Sequence, residues 1–198
     1  MKQLYVTEKY SFMITGIILS CCFILASCAN TTKERESFVI KDNAGYEFLF
    51  NRKLKPGILI DSICVTKAKR EMAVFAGGVI QKIYKISLGF NPEGKKAFEG
   101  DGKTPEGLYF IDGKNNNSSY HKNLGISYPN SADITYATRF KKSPGGNIKI
   151  HGWPNGYSKE DAKFLAPDWT IGCIAISNEE IDELYEATEA NTPILIKP

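Results

Sequence analysis

Short apolar runs of strand length, separated by glycine, proline and polar residues, fill the chain from Pro56 onward. Such runs predict β-strands, because a helix needs a longer stretch in which apolar residues recur every three to four positions. They cover Ile58 to Ile60, Ile63 to Thr66, Met72 to Phe75, Val79 to Leu88, Gly107 to Asp112, Asn147 to Ile150 and Ile194 to Ile196. The polar stretch from Asp112 to Asn130 is predicted to be an exposed loop. We therefore predict a mainly β domain over residues 56–198.

Turn and cap residues locate a hairpin and a helix within this domain. Gly77 and Gly78 separate two apolar runs and can take positive φ without steric cost, which predicts a hairpin from Met72 to Leu88. Ser177 and Glu180 fit a capping box, in which each side chain accepts from the backbone N–H of the other. They predict a helix whose apolar face is formed by Ile181, Leu184, Tyr185 and Thr188.

Composition and charge narrow the class of protein. The chain has 198 residues, 42% of them apolar and 24% charged, which is typical of one globular domain with an appendage rather than of a disordered chain. A net charge of +3 is too small for attraction to a phosphate backbone to dominate, so we predict no nucleic-acid partner. The two histidines, His121 and His151, show no zinc-ligand spacing, so no metal ion or other cofactor is expected. We expect a monomer.

The first 28 residues resemble the export signal of a lipoprotein. Two lysines precede an uncharged run from Phe12 to Ala26, which is shorter than the roughly 20 residues of a transmembrane helix. Leu25-Ala26-Ser27 resembles the lipobox of bacterial lipoproteins, whose following cysteine, here Cys28, is acylated after cleavage. We therefore interpret residues 1–27 as a lipoprotein signal peptide. An ordinary secretory signal and an uncleaved anchor are the alternatives, and each of them would export the chain.

A polar segment, residues 28–55, follows the signal and is interpreted as a tether between the membrane and the domain. A lipid on Cys28 would anchor the protein in the bacterial cell envelope, facing the periplasm or the cell wall. Ala29, rather than an aspartate, follows Cys28, which resembles lipoproteins that diderm bacteria send to the outer membrane. This signal leaves the choice between inner and outer membrane open.

Removal of the signal and acylation of Cys28 would leave Cys64 and Cys173 as free thiols, too few for a disulfide framework. Cys64 stands between β-branched residues, where a cysteine is typically a small buried hydrophobe. Cys173 follows Gly172 and is a candidate nucleophile. A buried, inert cysteine is the alternative at that position.

Four motifs occur in a fixed order: Ser87-Leu88-Gly89, Thr104-Pro105-Glu106-Gly107, His151-Gly152, and Gly172-Cys173-Ile174 followed by Ser177-Asn178. In this order they resemble the L,D-transpeptidase catalytic domain family, also called the YkuD domain. The resemblance extends from about Ile58 to Pro198. It implies a single β-sandwich or barrel domain with a short helix after the catalytic cysteine.

The resemblance also implies a chemistry. Cys173 would be the nucleophile and His151 the base that takes its proton. The reaction would be L,D-transpeptidation, in which acyl transfer on peptidoglycan stem peptides passes through a Cys173 thioester. We assign Gly172, Gly152 and Thr170 to substrate binding and to the oxyanion, which backbone N–H groups would stabilise. Hydrolysis of the same links by an L,D-carboxypeptidase or amidase, and a non-catalytic peptidoglycan-binding module, are the alternatives.

Two positions depart from the family pattern. The signature commonly has a histidine directly before Gly-Cys and an arginine or asparagine two places after the cysteine, whereas this chain has Ile171 and Ala175. His151 is then the imidazole placed to act as a base, because His121 lies in the predicted polar loop. A wide separation of His151 and the cysteine predicts a longer loop through Pro154 to Pro167. These departures bear on substrate choice more than on the thiol chemistry.

Overall fold

The computed structural model describes residues 43–198. Within this range the strands are β1 (Ser62–Thr66), β2 (Glu71–Ala76), β3 (Val79–Lys85), β4 (Gly107–Ser118), β5 (His121–Ile126), β6 (Lys149–His151), β7 (Ile174–Ala175) and β8 (Pro193–Lys197). The helices are α1 (Asn43–Asn51), α2 (Ser131–Arg139), α3 (Lys159–Ala162) and α4 (Asn178–Ala187). The predicted signal peptide, Cys28 and residues 28–42 of the predicted tether lie outside the described range.

The eight strands form one sheet with the order β3-β2-β1-β8-β4-β5-β6-β7. Neighbouring strands are antiparallel, except that β1 is parallel to β8 and β6 is parallel to β7. The segment that follows β3 lies against the opposite edge, where Ser87 pairs with Ala175 of β7 and Gly89 pairs with Thr170. The sheet therefore curls until its two edges meet. This curled sheet confirms the predicted mainly β, barrel-like fold.

The predicted hairpin is formed by β2 and β3, which are antiparallel neighbours. Gly77 and Gly78 connect them with φ angles of 62° and 75°, as the turn requires. The run from Ile58 to Ile60 is not a strand. Instead, the backbone N–H of Ile60 donates to the carbonyl of Ala187 at the end of α4, at 2.8 Å.

The prediction of an exposed loop from Asp112 to Asn130 is wrong. This stretch forms the end of β4 and all of β5, which pair as a long hairpin. Leu124 and Ile126 are buried in the core, whereas the asparagines and serines of the tip are mostly exposed. A strand needs an apolar side chain only at every second position, so a few buried residues stabilise a segment that is polar on average.

The helix after the cysteine is confirmed. Ser177 caps α4: its hydroxyl accepts from the backbone N–H of Glu180 at 3.2 Å, and its own N–H donates to the Glu180 carboxylate at 3.0 Å. Ile181 of the predicted apolar face is fully buried. Helices α2 and α3, which were not predicted, also begin with capping boxes, at Asn130 and Ser158. In residues 43–198, every helix is too short or too polar to cross a bilayer.

Helix α1 lies within the predicted tether and packs on the sheet. Leu49 is buried, and the hydroxyl of Tyr46 donates to the carboxylate of Glu71 at the start of β2. The ammonium group of Lys85 lies 4.1 Å from the ring centre of Phe50, close enough for a cation–π contact. The carboxyl-terminal part of the predicted tether is therefore attached to the domain surface, because its apolar patch forms one side of a helix.

Candidate active site

Strand register brings the candidate nucleophile and the candidate base together. β6 and β7 pair Ile150 with Ile174 and His151 with Ala175. Successive side chains of a strand point to opposite faces, and Ile150 and Ile174 are fully buried in the core. His151 and Cys173, the residue before β7, line one cleft on the other side.

This cleft has a volume of about 510 Å³, within the usual range for a small-ligand site. Of the predicted site residues, His151, Thr170 and Cys173 line it, whereas Gly152 and Gly172 lie in the adjoining turns. The remaining lining residues are Asn115, Asn117, Ser118, Ser119, Tyr120, Asn123, Asn147, Lys149, Trp169 and Ile171. The β4–β5 hairpin therefore forms one wall of the cleft.

Most of this wall was not predicted from the sequence, because the polar hairpin has the composition of a loop. One signal was available for Lys149, which precedes His151 by two residues and must share its face of a strand. Trp169 had a weaker signal, since it stands near the cysteine on the same loop. Nothing in the sequence relates Tyr120 or Asn115 to the cysteine.

The surroundings of His151 determine its protonation. Its Nδ1 atom lies 2.7 Å from the carbonyl oxygen of Gly152, so the neutral ring carries its proton on Nδ1 and donates it there. Ring centres of Tyr120 and Trp169 lie 4.7 Å and 5.6 Å from the imidazole. Burial lowers the pKa of His151 below its usual value, and the bond to Gly152 opposes this only in part. The imidazole is therefore neutral at neutral pH, with Nε2 free to accept a proton.

The thiol of Cys173 is also neutral at rest. Burial raises its pKa, while the backbone N–H of Lys149 and the positive charges of Lys149 and Lys96 act in the opposite direction. The Sγ atom lies 3.5 Å from the carbonyl oxygen of Asn147, a distance at which the S–H group can donate. The resting pair is thus thiol and imidazole rather than thiolate and imidazolium.

Thr170 holds the turn that carries the cysteine. Its hydroxyl oxygen accepts from the backbone N–H of Gly172 at 3.0 Å, and its hydroxyl donates to the carbonyl of Cys173 at 2.8 Å. Gly172 has a φ of 134°, and a Cβ atom there would lie 2.6 Å from the carbonyl oxygen of Lys103. The turn therefore requires a residue without a side chain directly before the cysteine.

The segment after β3 is hydrogen-bonded to this turn on both sides of the cysteine. Ser87 and Ala175 exchange two backbone hydrogen bonds of 2.9 Å after the cysteine. Before the cysteine, the N–H of Thr170 donates to Leu88 at 3.1 Å and its carbonyl accepts from Phe90 at 2.9 Å. The cysteine is thus held between two points of sheet closure.

Asn178 holds the turn that follows the candidate base. Its side-chain oxygen accepts from the backbone N–H of Trp153 at 2.9 Å. A Cβ atom on Gly152 would lie 2.5 Å from that oxygen, so glycine permits the close approach. The histidine turn is therefore joined to the start of α4, three positions after the end of β7.

Two of the candidate oxyanion donors already have a hydrogen-bond acceptor. The N–H of Gly172 donates to Thr170, and the N–H of Gly152 donates to the carbonyl of Tyr120 at 3.1 Å. Both groups are therefore engaged, because short turns leave their amides pointing at nearby oxygens. Among residues 43–198, the backbone N–H of Cys173 has no hydrogen-bond acceptor.

The two departures from the family signature lie in different environments. Ile171 is 72% exposed at the edge of the cleft. Ala175 is 3% exposed and is paired with both Ser87 and His151, so a long charged side chain would have to enter packed structure. The predicted longer loop contains α3, which has no buried residue.

The other titratable candidates lie outside the cleft lining. His121 begins β5, and its Nε2 lies 2.8 Å from Asp182 of α4. Cys64 was expected to be buried in the core. Instead it is half-buried on β1, on the face opposite to Ile63 and Val65. In the part of the chain that is described, no three His, Cys, Asp or Glu side chains are grouped to hold a metal ion.

Comparison with known proteins gives consistent matches. The sequence model of the L,D-transpeptidase catalytic domain, YkuD, matches residues 60–196. YafK of Escherichia coli K12, whose name assigns it provisionally to the L,D-transpeptidases, is 31% identical over 108 residues, covering 53% of this chain and 35% of YafK. The crystal structure of Pgp2, a helical cell shape determining protein of Campylobacter jejuni, is 27% identical with a TM-score of 0.53, covering 75% of this chain and 52% of Pgp2. The chain thus spans about a third of YafK and about half of Pgp2.

Proposed function

This chain belongs to the L,D-transpeptidase (YkuD) catalytic domain family, and from that premise we propose that it catalyses acyl transfer on peptidoglycan stem peptides. Cys173 is the nucleophile and His151 the general base. The observation that carries this proposal is the shared cleft: the imidazole lines it from the end of β6, and the thiol lines it from the residue that precedes the neighbouring parallel strand β7. A module that only binds the cell wall has no need of that pair.

The proton transfers follow from the resting state of the pair. As Sγ of Cys173 bonds to the carbonyl carbon of the donor, the thiol proton passes to Nε2 of His151 and the carbonyl electrons move to oxygen. The imidazolium then gives that proton to the departing amine, the C–N bond breaks, and a thioester remains. The hydrogen bond from Nδ1 to Gly152 holds the ring in the tautomer that this cycle needs.

The negative charge on the carbonyl oxygen requires a donor. The backbone N–H of Cys173, which has no acceptor among the described residues, is the group that best fits this role, since it belongs to the nucleophile itself. Thr170 acts as a positioning residue, because its hydrogen bonds fix the turn from which this N–H projects.

The thioester has two fates. Attack by an amine of a second stem completes transpeptidation, whereas attack by water is hydrolysis. We assign the amine as the acceptor, with a role in the cell wall and cell shape. The similarity to Pgp2, a cell shape determining protein, supports the role in cell shape. This chain spans about half of the length of Pgp2.

The test is incubation of the full chain, extracted in detergent, with disaccharide tetrapeptide muropeptides, followed by mass spectrometry. Cross-linked dimers support transpeptidation, and a shortened monomer indicates hydrolysis. Cys173→Ala is the inactive control, and Cys64→Ser controls for removal of a thiol outside the cleft. If wild type and Cys173→Ala leave the muropeptides equally unchanged, while the peptides still bind, the chain is a binding module.

We also propose that the chain is a lipoprotein of the bacterial envelope, on the strength of Leu25-Ala26-Ser27 before Cys28. Cys28→Ser is expected to leave the precursor unprocessed or release the protein from the membrane fraction. Cys22→Ser, which changes a neighbouring cysteine of the signal, is the matched control. Equal membrane retention and processing of all three proteins would contradict the lipid anchor.

A further inference from the structure

Lys149 is the one lysine, arginine, aspartate or glutamate among the described residues that line the cleft. The other side chains there are amides, hydroxyls, aromatic rings, Ile171, and the neutral Cys173 and His151. The lining of the cleft therefore carries one positive charge and no acidic residue. The carboxylate of Asp112 lies over Gly125, the strand partner of Lys149, but makes no ion pair with Lys149 within residues 43–198. Such a site favours a ligand with a negative charge.

The strand register places this charge beside the nucleophile. Lys149 and His151 are two positions apart on β6 and share one face. The pairing of Ile150 with Ile174 sets Lys149 alongside Cys173 on the neighbouring chain segment. The effect of the Lys149 charge on the pKa of the Cys173 thiol agrees with this proximity. A group bound by Lys149 therefore lies near the attacked carbonyl.

Lys149 is half-buried, yet its ammonium group has no hydrogen bond or ion pair within residues 43–198. Removing an ammonium group from water is costly unless a partner compensates for the lost hydration. The three buried lysines of the domain each have such a partner: Lys67 with Glu106, Lys82 with Glu183, and Lys96 with Asp101. Unlike these lysines, Lys149 leaves its ammonium group available to a ligand in the cleft.

Building on the proposed function, we propose that Lys149 is a specificity-determining residue that binds the free α-carboxylate of the residue that leaves the acyl donor. In an amino acid the carboxylate carbon lies about 2.5 Å from the amine nitrogen, so it stays close to the bond that breaks. A terminal residue carries this carboxylate, whereas an internal residue carries an amide in its place. Lys149 thus favours donors whose last residue departs.

The test compares two donors in four proteins. The donors are a tetrapeptide stem with a free terminal carboxylate and the same stem with a terminal carboxamide. The proteins are wild type, Lys149→Met and Lys149→Arg, with Lys197→Met, which removes an exposed charge from β8, as the matched control. Because Lys149 also affects the thiol, only the ratio of kcat/KM for the two donors is interpreted.

Wild type, Lys197→Met and Lys149→Arg are expected to prefer the carboxylate by roughly 10- to 100-fold, the effect of one hydrogen bond to a charged group. Lys149→Met is expected to bring the ratio close to one. A ratio near one in wild type, or the same ratio in Lys149→Met as in wild type, overturns the role of Lys149 and leaves the proposed chemistry intact.

A binding measurement keeps the two proposals separable. Free D-alanine is expected to slow alkylation of Cys173 by iodoacetamide in wild type, and D-alaninamide is not. In Lys149→Met the protection by D-alanine is expected to disappear. If the enzyme turns over neither donor but this protection is observed, the chemistry fails and the carboxylate site stands. Equal protection by both compounds overturns the site.

Discussion

The Nδ1 atom of His151 lies 2.7 Å from the carbonyl oxygen of Gly152, its neighbour in the chain. A carbonyl oxygen can only accept, so this contact determines which ring nitrogen carries the proton of the neutral imidazole. No carboxylate is needed to hold the ring in place.

The first prediction concerns the acid limb of the pH–rate profile. Burial lowers the pKa of His151, so the ring stays neutral, and competent as a base, until the pH falls through that lowered value. The acid limb of kcat/KM on a muropeptide is therefore expected to lie below about 6.5, the ordinary histidine pKa. An acid limb at or above 6.5 would show that the imidazole is more exposed or paired with a negative charge.

The second prediction concerns the thiol. Because burial raises the pKa of Cys173, its alkylation by iodoacetamide is expected to keep rising with pH beyond about 8.5, the ordinary thiol value. Mass spectrometry of the labelled peptide measures the rate, and alkylation of Cys64 in Cys173→Ala provides the reference thiol. A rate that is already at its plateau at neutral pH would indicate a preformed thiolate and contradict the neutral pair.

The third prediction is that Cys173 and His151 act as one unit. Removing the base with His151→Gln is expected to lower kcat by about 10² to 10⁴-fold, and Cys173→Ala to abolish turnover. The double variant is expected to be little worse than Cys173→Ala, since residues that act together do not contribute independently. By family resemblance, a carbapenem is expected to acylate wild-type Cys173 and to do so much more slowly in His151→Gln. Equal acylation rates, measured by mass increase, would remove His151 from the mechanism.

The fourth prediction separates the contributions to stability of the two hydrogen-bond partners of Asp168, Arg70 and Leu88. Asp168 accepts from Arg70 at 2.8 Å through one oxygen and from the backbone N–H of Leu88 at 3.0 Å through the other. Arg70 is 38% exposed, so Arg70→Ala is expected to cost at most about 1 kcal/mol of unfolding free energy. Asp168→Ala also leaves the Leu88 amide without its acceptor and is expected to cost about 1–3 kcal/mol.

Because Leu88 also bonds to Thr170, Asp168→Ala is expected to slow turnover as well. Urea unfolding and muropeptide turnover measure the two effects. Asp168→Asn keeps an acceptor for Leu88 and is expected to fall between wild type and Asp168→Ala. A larger loss in Arg70→Ala than in Asp168→Ala would assign the stabilisation to the ion pair instead.

The sequence alone predicted the features that depend on neighbouring residues. Gly77-Gly78 predicted the hairpin because the turn depends only on the backbone of these two residues. Ser177 predicted the start of α4 because a capping box spans only four residues. The order of the motifs around His151 and Cys173 predicted the family, which the matched residues 60–196 confirm.

Tertiary structure decided what depends on residues far apart in the chain. The polar β4–β5 hairpin forms a wall of the cleft because two buried side chains and its strand partners hold it in the sheet. The mean polarity of the segment gives no indication of this pairing. The N–H of Gly172 is occupied because Thr170 is fixed by Leu88 and Phe90, about 80 positions earlier. Backbone pairing between distant segments has no local sequence signature, since any residue but proline can donate and accept. Sheet closure between Ser87 and Ala175 therefore positions the site in a way that only the folded chain reveals.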